Sequence, residues 1–165
     1  MPSKTAHKYL IAGSVALAVV LLDQFTKHLI IRYLPLYRSV EVIDQYLTIL
    51  HTRNKGIAFG IFSGQVSTMQ TVLLIVASCA AIAFIFYLLR GLGERYLYAT
   101  ITLALILGGA IGNLIDRIRW GEVIDFIDLH WYNYHWPAFN CADSAISIGM
   151  VLLITGMLTK RFPLH

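Results

Sequence analysis

Charged residues are scarce in this sequence. They make up only 13% of the 165 residues, about half of the roughly 25% that is usual in soluble domains. Hydrophobic residues make up 58% and the mean hydropathy is +0.68, which excludes a disordered chain and argues against a soluble globular protein. The two cysteines are too few for a disulfide framework. The net charge of +4 comes without a dense basic patch, which argues against a nucleic-acid binder and favours a small integral membrane protein.

Four apolar stretches account for most of the chain. They cover residues 9–31, 66–89, 96–115 and 142–158, and each is near the ~20 residues that cross a membrane as a helix. The first stretch carries Asp23 and Lys27 where a signal peptide would have small residues before its cleavage site, so we expect an uncleaved first helix. In the third stretch, Gly108 and Gly112 form a small-xxx-small pair that predicts close helix packing. The sequence thus predicts a single transmembrane domain over residues 1–165.

The basic residues predict the orientation of this domain. Segments 1–8, 90–95 and 159–165 hold six Lys and Arg residues in 21 positions, whereas the long loops 32–65 and 116–141 hold six in 60. Because short cytoplasmic segments carry the denser positive charge, we expect both termini in the cytoplasm and both long loops outside it.

The long loops contain segments typical of strands. Residues 40–52 are rich in β-branched and aromatic side chains and partly alternate, and residues 122–128 resemble them. Residues 130–139 are aromatic, which is typical of the membrane–water interface. The predicted fold is an all-α integral membrane protein with four transmembrane helices, a small extracytoplasmic β-rich platform and a second extracytoplasmic loop.

Ionisable residues in or at the ends of the apolar stretches are candidates for function, because charges are costly in lipid. Asp23 and Lys27 lie one helical turn apart and can pair. Asp116 has Arg117 beside it in the sequence. Structural pairing therefore explains both of these aspartates.

Asp125 and Asp143 differ, since both have apolar neighbours and no adjacent cation. We expect them at the same membrane depth, whereas Asp44 and Asp128 are expected to be solvated loop charges. If the two carboxylates meet, they cannot both ionise cheaply and would share one proton. One could then take a proton from water while the other polarises a carbonyl, as in an aspartic protease. From spacing alone, Asp143 as the N-cap of the fourth helix and Asp125 as a polar loop residue stay equally open.

Three other chemistries draw on residues nearby. Ser144 with Lys27 would form a Ser–Lys dyad, but Ser is ordinary at a helix start and Lys27 already has Asp23 one turn away. Cys141 suggests a thiol nucleophile only weakly, with no histidine fixed beside it. A metal site could draw on His51, His130, His135 and Asp128. His130 and His135, however, lack the i, i+4 spacing that places two ligands on one helix face.

Five blocks of polar and small residues stand out along the chain. They are Asp23-Gln24 with Lys27, Asn54–Phe59, Gly108–Arg117, Gly121–Phe126 and Phe139–Ser144. In this order and at these spacings, the blocks closely resemble those of the bacterial lipoprotein signal peptidase family, also called signal peptidase II. The resemblance covers essentially the whole chain.

The resemblance implies an aspartic endopeptidase of the bacterial inner membrane. The family removes the signal peptide of prolipoproteins by cutting just before a cysteine that carries a diacylglyceryl group. Carried over to this chain, the catalytic pair is Asp125 and Asp143. The residues implied to line the site or contact the substrate are Asn54, Gly56, Asn113, Arg117, Asn140 and Ser144. The residues implied to support it are Asp23, Lys27 and Asp116.

The resemblance also implies the partners. The substrate is a diacylglyceryl prolipoprotein whose lipid chains stay among membrane lipids. An aspartic mechanism needs no metal or cofactor, and we expect a monomer, because one chain supplies both aspartates. Ile57 and Cys141 depart from the family's usual residues, which affects only the local shape of the pocket. We expect residues 40–62 and the aromatic loop to gate the site, so a crosslink from Asn54 to residues 130–139 should stop activity.

Two other function classes stay open. In a transporter the intramembrane Asp and Lys residues would carry ions or protons, although here they cluster near one face. In a structural protein the charges would only tie helices together. Asp125→Asn would stop cleavage by a protease, whereas a transporter would lose flux with no peptide product and a structural protein would tolerate the change.

Overall fold

The structure is a computed structural model that describes residues 4–56, 68–93, 96–159 and 161–162. Within these ranges the chain forms four long helices, α1 Lys4–Tyr33, α2 Thr68–Gly91, α3 Leu97–Trp120 and α4 Cys141–Leu158. Each is long and apolar enough to span a membrane, which confirms the predicted set of four. Residues 57–67, which include the predicted start of the second span, Ile57 and part of the predicted gate, lie outside the described residues. The single-domain assignment over residues 1–165 stays a prediction.

The helix ends follow from local sequence. Pro35 comes two residues after α1, and the residue before a proline is disfavoured in helical conformation. Gly121 closes α3 in the left-handed conformation, with φ of 73°, and its N–H donates to the Arg117 carbonyl. Asn140 is the N-cap of α4.

Helix α3 lies at the centre of the bundle and packs against α1, α2 and α4. A Cβ atom on Gly108 would lie 2.8 Å from the Ala16 carbonyl oxygen of α1, and one on Gly112 would lie 2.6 Å from a carboxylate oxygen of Asp23. These two glycines therefore let α1 and α3 approach closely, as their spacing predicts. The core of the bundle includes Ala12, Ala16, Leu89, Ala99, Leu103, Ala104 and Leu107.

Four antiparallel strands lie at one end of the bundle, in the order β1-β2-β3-β4. Their bounds are β1 Ser39–Ile43, β2 Leu47–Asn54, β3 Val123–Trp131 and β4 Tyr134–His135. The hairpin β1–β2 follows α1, and β3 and β4 connect α3 to α4. The strands predicted within 40–52 and 122–128 are confirmed.

The small β-rich platform that the sequence predicts is this sheet, and both long connections contribute strands to it. They share one sheet, because β3 pairs with β2 in a register that sets Thr52 opposite Asp125 and Asn54 opposite Val123. Pairing satisfies the backbone N–H and C=O groups that the edge of β2 would otherwise leave open. The register thereby brings Asn54 to the strand that carries Asp125.

Candidate active site

Asp125 lies on β3 with a side chain that is almost completely buried, at 1% exposure of the residue. Its Oδ2 accepts a hydrogen bond from Asn54 Nδ2 at 2.8 Å, and its Oδ1 accepts one from Asn140 Nδ2 at 2.8 Å. The alternative of a polar loop residue is therefore wrong, since Asp125 is a buried strand residue with both oxygens engaged.

Asp143 lies in the first turn of α4 and belongs to a capping box. The backbone N–H of Asp143 donates to Asn140 Oδ1 at 2.9 Å, and the backbone N–H of Asn140 donates to Asp143 Oδ2 at 3.2 Å. Asn113 Nδ2 of α3 donates to the other oxygen, Asp143 Oδ1, at 2.7 Å. The alternative in which Asp143 is the N-cap is therefore wrong, because the N-cap is Asn140. The capping box nevertheless holds the Asp143 carboxylate in one orientation.

Asn140 connects the two carboxylates. It is completely buried, and its side-chain amide accepts from the Asp143 backbone while it donates to Asp125. The same Nδ2 group also donates to the Ile124 carbonyl at 3.1 Å. One amide therefore sets the strand that carries Asp125 against the helix that carries Asp143.

The pKa of Asp125 is raised from 3.8 to about 6. The largest cause is burial, which disfavours the ionised carboxylate, and the negative charge of Asp143 acts in the same direction. The N–H groups of Asn54 and Asn140 and the charge of Lys27 act in the opposite direction. The site thus favours retention of a proton by a carboxyl that has a second carboxylate close by.

Lys27 of α1 supplies the positive charge beneath this pair. It is buried, and its Nζ contacts Asp23 Oδ2 at 2.8 Å, Asp116 Oδ2 at 2.7 Å and Asn113 Oδ1 at 3.1 Å. The three N–H donors of the ammonium group therefore have three acceptors. Since Asn113 Oδ1 faces Lys27, its Nδ2 is left to face Asp143.

The pairing of Asp116 with its neighbour Arg117 is wrong. Asp116 pairs with Lys27, whereas Arg117 donates to Ser78 Oγ of α2 at 3.2 Å, because consecutive residues on a helix point in different directions. No role is predicted above for Gln24, whose Nε2 donates to Asp116 Oδ1 at 2.9 Å. Its signal was available, since a polar amide within an apolar span usually bonds to another helix.

Gly56 helps to orient Asn54. It has a φ of 75°, which favours glycine, and its N–H donates to Asn54 Oδ1 at 2.8 Å. The amide of Asn54 is thereby turned so that its Nδ2 faces Asp125.

The structure does not bring the alternative catalytic groups together. The Ser144 hydroxyl donates to the Asn140 carbonyl at 2.9 Å, and within the described ranges no hydrogen bond joins it to Lys27. Thr26 Oγ1 donates to Cys141 Sγ at 3.5 Å, and both cysteines are free.

The histidines lie in two separate places. His130 and His135 stack with ring centroids 4.7 Å apart on the β3–β4 hairpin, whereas His51 bonds to the Leu34 carbonyl at the end of α1. His135 Nδ1 contacts Asp128 Oδ2 at 2.9 Å, so Asp128 is a buried, paired residue and not the solvated charge that its sequence context predicts. Asp44 is exposed, as expected. The described part of the chain contains no group of three or more potential metal ligands.

A cavity of about 560 Å³ opens beside the Asp143 carboxylate. Asp143, Asn54 and Ser144 contribute polar groups to its wall, and most of the remaining wall is apolar. The apolar and aromatic residues come from the β3–β4 hairpin, the segment after it and α4, and include Leu129, Trp136, Phe139 and Ile148. An extended apolar peptide segment would bury its surface against this wall and contact the Asp143 carboxylate, with Asp125 buried behind the wall.

Known proteins share this sequence and fold. Residues 15–159 match the model of a family described as Signal peptidase (SPase) II. A lipoprotein signal peptidase from Syntrophotalea carbinolica is 44% identical over 140 residues, covering 85% of this chain and 86% of the relative. One from Geobacter sulfurreducens is 45% identical over 153 residues, covering 93% and 94% respectively.

Two solved structures, both described as bacterial membrane enzymes determined by the in meso method, are also similar. Each is 34% identical in sequence, and their TM-scores are 0.77 and 0.78. They cover 90% and 89% of this chain, which covers 87% and 92% of theirs.

Four membrane-spanning helices that enclose a buried polar cluster define a multi-pass membrane enzyme. Within that class, the chain belongs to the signal peptidase II family. Membership supports a protease that removes signal peptides from prolipoproteins.

Proposed function

We propose that this protein is an aspartic endopeptidase that cuts diacylglyceryl-modified prolipoproteins just before the lipidated cysteine. It acts as a monomer in the bacterial inner membrane, with both termini in the cytoplasm and its active site near the extracytoplasmic face. The density of Lys and Arg in the short segments supports this orientation.

The observation that carries the proposal is the junction of Asp125 and Asp143 through Asn140 at the edge of the cavity. Both carboxylates bond to neutral amides, and the described residues supply no direct cation partner to either. A pair in this setting retains one proton, as the raised pKa of Asp125 indicates. The ionised member takes a proton from water, and the protonated member donates a hydrogen bond to the scissile carbonyl.

The neighbouring polar residues hold this pair in position. Asn54, Asn113 and Asn140 donate to the two carboxylates, and Gly56 orients Asn54. Arg117 and Ser144 line the site and contact the substrate backbone in our proposal. Beneath it, Lys27 forms salt bridges with both Asp23 and Asp116, and this cluster supports its geometry.

The location of the site suits a lipid-anchored peptide. The scissile bond follows a signal helix and precedes a cysteine whose acyl chains stay in the bilayer. The cavity lies at the end of an apolar bundle, beneath aromatic side chains that favour the interface. The reaction draws on two carboxylates and one water, with no metal or cofactor.

The test is cleavage of a diacylglyceryl prolipoprotein in detergent by purified wild type, Asp125→Asn and Asp143→Asn. Asp44→Asn is the matched control, because it removes an exposed carboxylate. We expect both active-site variants to melt cooperatively but to lose cleavage by at least about a thousandfold, while the control keeps full activity. Cleavage by either folded active-site variant at the wild-type rate would overturn the proposal.

A further inference from the structure

A second cavity lies in the groove between α1 and α2, away from the carboxylates. Both helices pack against α3, but over their described residues they make no close backbone contact with each other. The gap has a volume of about 420 Å³ and an almost wholly apolar lining. Its walls include Ala12, Gly13 and Leu17 of α1, Phe86 and Leu89 of α2, and Leu107 of α3.

The groove has the length of one acyl chain in one leaflet. Along α1 it runs from Tyr9 to Val20, which is about 16 Å at the helical rise of 1.5 Å per residue. One leaflet supplies about 15 Å of the ~30 Å hydrocarbon core. An extended acyl chain would therefore fill the groove from the membrane surface near Tyr9 to the middle of the bilayer.

Positive charge lies at the Tyr9 end of the groove. Lys8 Nζ lies 4.8 Å from the centre of the Tyr9 ring and donates to the Leu92 carbonyl at 2.7 Å. Arg90 lies in the last turn of α2, at the same end, and is exposed. Lys8 is buried and its ammonium is already bonded, so Arg90 is the exposed cation that suits an anionic headgroup whose chain extends into the groove.

The groove faces the leaflet opposite the candidate active site. Tyr9 lies about 27 Å along α1 from Lys27, which contacts the active-site cluster. Acyl chains attached to a substrate in that site would start from the other side of the bilayer. The positive end of the groove is thus beyond the direct reach of the cleavage chemistry.

We propose that this groove is a binding site for one acyl chain of an anionic phospholipid, with the phosphate beside Arg90. The bound chain fills the space between α1 and α2 and stabilises the bundle. This inference is independent of the proposed function, since it concerns neither the carboxylates nor cleavage.

Gly13 permits a sharp test. A Cβ atom at Gly13 meets nothing within 4 Å, so Gly13→Leu enters the groove and leaves the packing of the helices unchanged. Gly91 has equally open space but does not line the groove, so Gly91→Leu is the matched control. The delipidated proteins are given phosphatidylglycerol or phosphatidylcholine with identical chains, and bound lipid is counted by native mass spectrometry beside thermal melting.

We expect wild type and Gly91→Leu to bind one phosphatidylglycerol and to melt at higher temperature with it. Gly13→Leu should melt cooperatively, bind at least tenfold less lipid and gain no thermal shift. Arg90→Gln should lower the preference for phosphatidylglycerol over phosphatidylcholine. Unchanged lipid binding by Gly13→Leu, equal binding of the two lipids by wild type, or displacement of the lipid by a diacylglyceryl peptide would each overturn the proposal.

Discussion

The burial of Asp125 predicts that replacing this residue changes how the stability of the protein depends on pH. In Asp125→Asn the side chain keeps its shape but cannot ionise. In the wild type the carboxyl must lose its proton inside the protein when the pH rises above about 6. The variant therefore avoids the free-energy cost of a buried negative charge, which the wild type bears only at higher pH.

The magnitude follows from the shift in the pKa. The folded-state pKa is about 6 against an ordinary value of 3.8, a difference of about two units or about 3 kcal/mol. Between these values the folded state keeps a proton that the unfolded state has lost. The stability that this proton contributes is greatest below pH 4 and is lost as the pH rises through about 6. Relative to wild type, Asp125→Asn should thus gain about 3 kcal/mol between pH 4 and pH 7.

Thermal melting in detergent at several pH values measures this gain. For a chain of this size, about 3 kcal/mol corresponds to roughly 6–12 °C in the difference between the two melting temperatures. The asparagine side chain of the variant does not titrate, and the hydrogen bonds that favour the wild-type carboxylate, from Asn54 and Asn140, already enter its folded-state pKa. The exposed Asp44→Asn variant is the control and should follow the wild-type curve. Parallel curves for wild type and Asp125→Asn from pH 4 to pH 7 would refute the reasoning.

Other perturbations test the surroundings of the site. Lys27→Met leaves two buried carboxylates without their cation and should lower stability by about 3–5 kcal/mol in thermal melts. Lys55→Met, at an exposed position, is the control and should change stability little. Equal losses of stability in the two variants would contradict this prediction. Gly112→Ala inserts a methyl group against the Asp23 carboxylate of α1 and should lower stability by about 1–3 kcal/mol. Gly13→Ala places its methyl group in open space and should leave stability unchanged. Trp136→Ala removes part of the cavity wall and should raise KM more than it lowers kcat in steady-state cleavage assays; a change confined to kcat would contradict this role.

The features that the sequence predicted correctly depend on local patterns. Hydropathy alone identifies four apolar helices, and β-branched alternation identifies β2 and β3. The apolar surroundings of Asp125 and Asp143 also mark them out from the other aspartates before any geometry is known. Each of these signals lies within about twenty consecutive residues.

The errors concern contacts that the nearest neighbours in the sequence do not reveal. Asp116 lies beside Arg117 in the chain but pairs with Lys27, and Asp128 is buried against His135. Asn140, and not Asp143, is the N-cap of α4, because the extended backbone of the chain before α4 ends at Asn140. Neighbours in sequence predict a pair only when the backbone points both side chains the same way.

The sequence by itself determined that this chain is a four-helix membrane protein with two unpaired aspartates near helix and strand ends. Only the tertiary structure decided that β3 pairs with β2, that one asparagine joins the two carboxylates, and that Lys27 orients Asn113. The reason is physical. The cost of placing charge in lipid is set residue by residue. Hydrogen bonds between partners 71 and 86 residues apart depend instead on the register of β2 with β3 and on how closely α1 packs against α3.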